Sequence, residues 1–180
     1  MVANSRHARG TAGPSAAAAA LQETAAPKQA LIARRRMQAE AYLNLSRIQR
    51  EIERRTQDLL ATEDLREVTP AQAGALMVLF QAKRPLRARE LASLLVLSEV
   101  TVGRFVHALH EAGWVRRDPD PADSRAVLVA PTPKAYRALP RFIAVSNALL
   151  DEAFSGFSAA EIATIAGTTE RLRRNILREP

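Results

Sequence analysis

The side chains that could carry out chemistry concentrate between Ser98 and Trp114, in the stretch SEVTVGRFVHALHEAGW. This stretch contains two of the three histidines of the chain, His107 and His110, which stand three residues apart. Two histidines at this spacing could begin a zinc site, but such a site is completed by further cysteine, histidine or carboxylate ligands. The chain has no cysteine, and Glu111 is expected to point away from the two histidines. We therefore predict that no metal is bound here.

No set of residues predicts an enzyme. The sequence contains no Gly-x-Ser-x-Gly turn and no phosphate loop of the Walker type, which are the local signatures of a hydrolase nucleophile and of a nucleotide site. A Ser-His-Asp arrangement would depend on a proximity in space that sequence does not show. We expect a protein that is not an enzyme and that carries no cofactor.

The same stretch has the pattern of an amphipathic α-helix. Its apolar residues follow the spacing i, i+3, i+4 and i+7, and they are Val102, Phe105, Val106 and Leu109. A rotation of ~100° per residue puts another set on or near the opposite face, namely Val100, Gly103, Arg104, His107 and Glu111. Ser98 is a suitable N-cap, and Gly113 is suited to a left-handed turn at the end of the helix. The helix alone fits both a solvated surface and a surface that contacts a partner.

A β-hairpin is predicted directly after this helix. Residues 114–117 and 126–129 are two short β-prone runs, and between them lie proline, aspartate and serine, which are typical of turns. Two further helices precede the pattern, one opened by VTPAQ and one containing RELASLL. In the first, Thr69 and Gln72 form a capping box with proline at the first helical position. Helices that lead into a hairpin with an arginine near its tip have the layout of a winged helix-turn-helix.

The run from Val68 to Lys134 resembles the MarR family of bacterial transcription regulators. The matching pieces, in order, are VTPAQ, RELASLL, LSEVTVGRFVHALHEAGWV and RRDPDPADSRAV. The resemblance implies a homodimer that binds double-stranded DNA at a pseudo-palindromic operator, most simply as a repressor that blocks a promoter. It also implies a small effector, often phenolic or otherwise aromatic, that binds between the dimer helices and the winged helix and releases the DNA.

The resemblance also implies which residues contact DNA. Arg125 stands where the family carries its wing arginine, and a guanidinium at a hairpin tip can enter the minor groove, braced by Asp123. The alternative is an exposed ion pair of little energetic value. Arg87 and Arg89, near the start of a helix, could hold phosphate oxygens. The residues predicted to contact DNA are Arg87, Ser98, Val100, Thr101, Gly103, Arg104, His107, Asp123, Ser124 and Arg125.

Three positions depart from the family pattern. Relatives carry glycine where Val96 and Ala135 stand, and a β-branched residue is costly at positive φ, so we expect the turn at Val96 to close by another geometry. The third position is Gly103, which costs about 1 kcal/mol relative to alanine within a helix. Either the missing side chain permits close approach to a groove wall, or the glycine is a tolerated substitution without a function. Val96, Gly103 and the modest charge of the core support an alternative function, a winged-helix protein-interaction module that has lost DNA recognition.

Amphipathic helices are predicted on both sides of the core. One apolar stripe consists of Ala41, Leu45, Ile48, Ile52 and Leu59. After Pro133 a second helix is expected to bend or break near Pro140, and Ser158 and Glu161 form a capping box that opens a last helix to about Leu177. A small winged helix cannot cover these stripes alone, which favours a homodimer.

The fold class is therefore mainly α with a small β-hairpin wing. We predict a disordered tail over residues 1–27, because it is rich in Ala, Gly, Ser and Pro without a sustained period. An N-terminal dimerisation helix is predicted over residues 28–62 and the winged helix-turn-helix core over residues 63–131. C-terminal dimerisation helices are predicted over residues 132–180.

The net charge of +7 suggests a polyanionic partner, but the charge is unevenly distributed. Residues 1–62 hold ten basic and five acidic side chains, whereas residues 70–131 hold eight and six. The run Arg34-Arg35-Arg36 fits a nucleic-acid contact or a solvated helix face, and both remain open. No run of 18 or more apolar residues predicts a membrane span, and no secretory signal is expected. We therefore expect no membrane partner. Because cysteine is absent, we expect a cytoplasmic protein without a thiol sensor.

Overall fold

The computed structural model describes residues 16–177, without the side chains of residues 16–27, Ser124 and Arg125. The chain divides into two compact units, residues 1–50 and residues 51–180. The described part of the first unit belongs to one helix, α1 (Ala16–Thr62), whose last residues lie in the second unit. From residue 28 to residue 50 this helix has no buried side chain.

The start of α1 corrects the predicted extent of the disordered tail. The sequence predicts disorder to residue 27, whereas the helix already begins at Ala16. The run of alanines that looks like low complexity is also the composition with the highest helix propensity, and in residues 16–27 the helix prevails. Residues 1–15 lie outside the described residues.

The second unit contains the predicted winged helix-turn-helix. Its first elements are α2 (Pro70–Ala82), β1 (Leu86–Arg87), α3 (Ala88–Leu95) and α4 (Glu99–Glu111). The capping box at α2 is confirmed, since the Gln72 amide N–H donates to Thr69 Oγ1 over 3.3 Å and the Thr69 N–H donates to Gln72 Oε1 over 2.9 Å. The N-cap role of Ser98 at α4 is also confirmed.

The core of the second unit forms where α2, α4 and α5 (Pro133–Ala153) bury their apolar faces. Leu76, Leu79, Val102 and Leu109 are almost completely buried, as the helical spacing predicts. Trp114, directly after α4, packs edge-on against Phe142 of α5 with ring centroids 5.6 Å apart. Burial of these side chains stabilises the fold by roughly 1.5–3 kcal/mol each, so the helices are positioned by packing rather than by propensity.

The wing is longer than the sequence predicts. Strands β2 (Val115–Asp120) and β3 (Asp123–Pro131) pair antiparallel, and β1 pairs with the outer edge of β3. Asp120 faces Asp123 across the turn, but Pro119 faces Val127. Residues 124–126 are therefore extra residues in β3, a bulge. Arg125 consequently lies in this bulge, two residues after Asp123, and not at the tip itself.

The turn between α3 and α4 closes through a residue in the left-handed conformation, which was not expected for valine. Val96 adopts the left-handed conformation, with φ 54° and ψ 43°. The Leu97 N–H donates to the Ala92 carbonyl over 2.9 Å, and the Val96 N–H donates to the Ser93 carbonyl over 3.2 Å. These bonds satisfy carbonyls at the end of α3 in the manner of a Schellman motif. The prediction of another geometry was wrong, because closing these bonds and burying α4 outweigh the local strain of a β-branched residue.

The chain ends in α5 and α6 (Ala159–Leu177). The capping box at Ser158 is confirmed by a 2.8 Å bond from its N–H to Glu161 Oε2, and α5 runs through Pro140 without a break. No residue of α6 is buried, and its apolar side chains, among them Ile162, Ile165 and Leu172, are exposed. Among the described helices none is by itself long and apolar enough to cross a membrane.

The strained turn gives a first prediction. Val96→Gly removes the steric cost of the left-handed conformation, which is about 1–2 kcal/mol for a residue with a β-carbon, while Val96 is 62% exposed and loses little burial. After the entropy cost of glycine we expect the free energy of unfolding to rise by about 1 kcal/mol, measured by urea denaturation. Val96→Ala is the matched control, because it removes the branch but keeps a β-carbon. An equal gain from both variants would contradict the strain argument.

Candidate nucleic-acid interface

The outer face of α4 carries the residues that the sequence analysis selected. Val100, Gly103, Arg104 and His107 are exposed, whereas Val102, Val106 and Leu109 on the other face are buried. Helices α3 and α4 are bent at 112° to each other, within the range of a helix-turn-helix pair. A helix held in this way by its apolar face presents its polar face without using it for packing.

Ser98 and Thr101 have structural roles at the start of α4. The Thr101 N–H donates to Ser98 Oγ over 3.1 Å, and the two hydroxyl oxygens lie 2.8 Å apart. These bonds satisfy a free amide of the first turn. The two hydroxyls are thus engaged with each other, and a contact to DNA would have to use their remaining hydrogen-bonding capacity.

Gly103 lies at the middle of the exposed face. A β-carbon placed on Gly103 would meet nothing within 4 Å. The folded chain therefore does not require glycine here, and the intramolecular structure gives no reason for its helix cost. A close approach by a partner surface remains a prediction for this position.

Arg87 and Asp120 form a contact that the sequence analysis did not predict. Arg87 Nε donates to Asp120 Oδ2 over 2.5 Å, and Asp120 Oδ1 accepts the Ala122 N–H over 2.8 Å. The Asp120 side chain is only 6% exposed. The Ala122 N–H and, after it, the Arg87 guanidinium hold the pKa of this carboxyl below its usual range. One carboxylate thus joins the turn of the wing to the start of α3.

Arg87 thus has a structural contact in addition to the phosphate contact predicted for it. Its Nε donates to the buried Asp120 carboxylate rather than to solvent, although the guanidinium keeps other donors. The signal for this pair was present in the sequence, because aspartate two residues before a turn N–H is typical of an Asx-turn. The partner, however, is 33 residues away, and sequence spacing does not connect them.

A second carboxylate at the start of α3 completes the local network. Glu90 accepts the Arg87 N–H over 2.9 Å and pairs with Arg84 Nη2 over 2.9 Å. The Arg84 side-chain bond, followed by the Arg87 N–H, lowers the pKa of Glu90 to about 2. The first turn of α3 therefore remains capped by a charged carboxylate at neutral pH, which also suits the positive end of the helix dipole.

A cleft of about 300 Å³ separates the wing from the first turns of α3 and α4. Its lining includes three arginines, Arg87, Arg89 and Arg117, together with Glu99 and Asp123. Arg89 and Arg117 are exposed, and the sequence analysis did not single out Arg117. This cleft brings Arg87 and Asp123 together, two of the residues predicted to contact DNA. The side chains of Ser124 and Arg125 lie outside the described residues, and so does the proposed brace between Asp123 and Arg125.

The far end of α4 is held by Lys134. Its Nζ donates to the Ala112 carbonyl over 2.9 Å and to Glu67 Oε1 over 2.8 Å, and it lies 4.2 Å from the centre of the Trp114 ring. A cation at the C-terminal end of a helix is favourable because the carbonyl ends carry partial negative charge. Helix α4 is thus held at its N-terminal end by Ser98 and at its C-terminal end by Lys134.

Comparison with known proteins agrees with this geometry. The MarR family model matches residues 68–127. The uncharacterized HTH-type transcriptional regulator YybA of Bacillus subtilis (strain 168) is 27% identical over 90 residues, which are 50% of this chain and 60% of that relative's length. A MarR transcriptional regulator from Methanosarcina mazei Go1 superposes with a TM-score of 0.65 at 21% identity, over 75% of this chain and 94% of that one. A mutant MarR from E. coli, solved in complex with operator DNA, gives 0.64 at 24% identity, over 71% and 89%.

The helix pair, the antiparallel wing and the exposed face of α4 define a winged helix-turn-helix protein. Over residues 68–127 the chain matches the MarR family model, and in fold it is similar to solved MarR structures. The fold class predicted from sequence is confirmed.

The buried carboxylate gives a second prediction. Asp120→Ala leaves the Ala122 N–H and the Arg87 guanidinium without their acceptor, so we expect faster amide hydrogen exchange in residues 115–131 and in the first turn of α3, measured by mass spectrometry. Asp118→Ala is the matched control, because Asp118 pairs with Arg116 on the same strand but is 42% exposed. Equal exchange in the two variants would show that the wing does not depend on Asp120.

Proposed function

We propose that this protein is a homodimeric regulator that binds double-stranded DNA in a sequence-specific manner. The observation that carries the proposal is the exposed face of α4, where Arg104 and His107 lie opposite the buried residues Val102, Val106 and Leu109. A helix of this size fits the major groove, and an arginine there can donate two bonds to guanine O6 and N7. The wing and the cleft arginines would then contact the adjacent backbone and minor groove.

The relatives support the same interpretation. YybA is described as a helix-turn-helix regulator, and the E. coli MarR of similar fold was solved on operator DNA. By its resemblance to the MarR family, Arg125 stands in the part of the wing that is expected to contact the minor groove. Its position in a bulge of β3 is compatible with such a contact, since bulges redirect side chains away from the regular strand.

The exposed apolar residues support assembly into a homodimer. On α1, Leu45, Ile48 and Ile52 are between 38% and 54% exposed, and on α6 Ile162, Ile165 and Leu172 are between 36% and 40% exposed. Exposed apolar stripes of this length on two helices are typical of protein–protein interfaces rather than of monomer surfaces. A second copy presents the same stripes and can cover them symmetrically.

The third prediction tests this assembly. Ile48→Asp places a charge in the proposed interface, and we expect the dimer to dissociate because a carboxylate buried without a partner is strongly unfavourable. Analytical ultracentrifugation at micromolar concentration measures the result. Leu43→Asp is the matched control, because Leu43 is 48% exposed and lies on the other face of α1. A wild-type protein that sediments as a folded monomer would refute the proposal.

An effector site and a repressor role are parts of the same proposal. A cavity of about 600 Å³ lies between the last turns of α1 and the start of α2, lined by residues such as Ile52, Thr56 and Thr69. Its volume suits a small aromatic molecule, and it borders the helix whose stripe we assign to the dimer. A ligand there could change the separation of the two recognition helices and release DNA from a blocked promoter.

A second candidate function has its own observation. Leu94, Val96, Leu97 and Val100 are between 40% and 68% exposed, and all lie around the turn that leads into α4. An apolar patch at this position is also compatible with a protein partner, so a winged-helix interaction module that has lost DNA recognition is the alternative. The two functions differ in what Arg104 does.

The fourth prediction separates α4 from the wing. Arg104→Ala should change the motif selected from a random DNA pool and cost about 1–3 kcal/mol on the original motif, because a bidentate base contact is lost. Arg125→Ala should weaken binding to most sequences and lower the salt dependence by about one charge, with the motif kept. Two half-sites ~10 base pairs apart are expected from a two-fold dimer. An Arg104→Ala variant with unchanged motif and affinity would favour the protein-interaction module.

A further inference from the structure

The positive charge of the chain is concentrated in the first unit. Residues 1–50 hold eight basic and two acidic side chains, whereas residues 51–180 hold 18 and 17. The first unit thus accounts for +6 of the net charge of +7. The unit that contains the winged helix-turn-helix is close to neutral as a whole.

The arginines of the two units also differ in the groups to which they donate hydrogen bonds. In the second unit several arginines pair with carboxylates, as Arg54 does with Asp58 and Arg55 with Glu152. In the first unit Arg35 donates to the Gln38 amide oxygen, Arg47 to the Asn44 amide oxygen and Arg50 to the Ser46 carbonyl. Within residues 28–50 the structure shows no ion pair between a basic side chain and a carboxylate. The guanidinium charges of this segment are therefore exposed and not neutralised by the chain itself.

Most of these charges share one face of α1. With ~100° per residue, one arc of roughly 120° contains Lys28, Arg35, Arg36, Arg47 and Arg50. Ile48 lies on the opposite side with the apolar stripe, while Ile32 and Leu43 lie within the basic arc. Glu40, the acidic residue of this segment, falls near the edge of the arc. From Lys28 to Arg50 the basic arc is about 33 Å long at 1.5 Å per residue.

We propose that this basic arc of α1 is a second DNA-contacting surface, which binds backbone phosphates without base preference. The inference rests on the proposed DNA-binding function. Phosphate neutralisation supplies much of the affinity of DNA-binding proteins, and a nearly neutral winged-helix unit has little net charge to supply it. Exposed arginines spaced along a helix can each donate to a phosphate oxygen. An anionic membrane surface is the competing partner. Helices that lie on a membrane carry aromatic and other large apolar anchors, whereas Tyr42 is the one aromatic residue between positions 28 and 50.

The test compares the salt dependence of DNA binding by full-length variants. Arg35→Gln/Arg36→Gln and Arg47→Gln/Arg50→Gln are made as two separate double variants, so that a folding defect in one leaves the other informative. Binding to the selected operator and to a random duplex is followed by fluorescence anisotropy from 50 to 300 mM KCl. Each lost phosphate contact should lower the slope of log K against log salt by about 0.9, while the selected motif stays the same.

Two controls distinguish the face of the helix from net charge. Arg34→Gln removes a charge from the apolar side of the same helix, and Arg137→Gln/Arg171→Gln removes two exposed charges from α5 and α6. Both should leave the slope unchanged, and Arg→Lys at the four arc positions should retain it. Equal losses of slope in the controls, or an unchanged slope in both double variants, would overturn the proposal.

The remaining outcomes separate this inference from the proposed function. If the wild-type protein selects a motif and the double variants keep its slope, only the second surface is refuted. If the wild-type protein selects no motif and binds no duplex, the proposed function fails first and the inference with it. If the double variants lose binding to vesicles containing 30% phosphatidylserine but keep the DNA slope, the arc contacts anionic lipid, which also overturns the proposal.

Discussion

One buried carboxylate links the wing to the start of α3. Asp120 accepts bonds from the Ala122 N–H and from Arg87, so one side chain joins the turn of the hairpin to the residue before α3, in addition to the pairing of β1 with β3. A buried charge is tolerated only when it is paired and hydrogen-bonded, and here both oxygens have partners. Arg87 in turn begins α3 and, through its N–H, is capped by Glu90. Arg87, which also lines the cleft beside the wing, is thus held by two carboxylates.

The exposed face of α4 takes no part in the interactions that hold this helix in place. Ser98 and Lys134 fix the two ends of α4, and the buried side of the helix packs into the core. None of these contacts uses Arg104 or His107. A face that does not contribute to stability can change its side chains at little cost to the fold. The residues that hold α4 in the core and those on its exposed face are thus different residues of one helix.

The sequence predicted best what is local and periodic. The faces of α4, the capping boxes at Thr69 and Ser158 and the winged layout follow from spacing and from side-chain chemistry within four residues. Three features did not follow. Val96 takes a conformation against its own preference because the capping bonds and core demand it; Asp120 and Arg87 meet across 33 residues; and the register of the wing, with its bulge, depends on pairing that turn composition does not specify. Each is a tertiary constraint that overrides a local preference.

Helix α6, in which no residue is buried, has a consequence for genetics. If its stripe is covered by a second copy, as proposed, the subunits exchange through an interface that lies apart from the recognition helix. A chain with an intact α6 and a defective α4 would still enter mixed dimers, and each mixed dimer would hold one competent half. If tight binding needs both half-sites, as it would for a two-fold dimer on DNA, one faulty allele silences most of the protein made by the other. A defect within α6 would leave the healthy allele untouched, and its inheritance would be recessive.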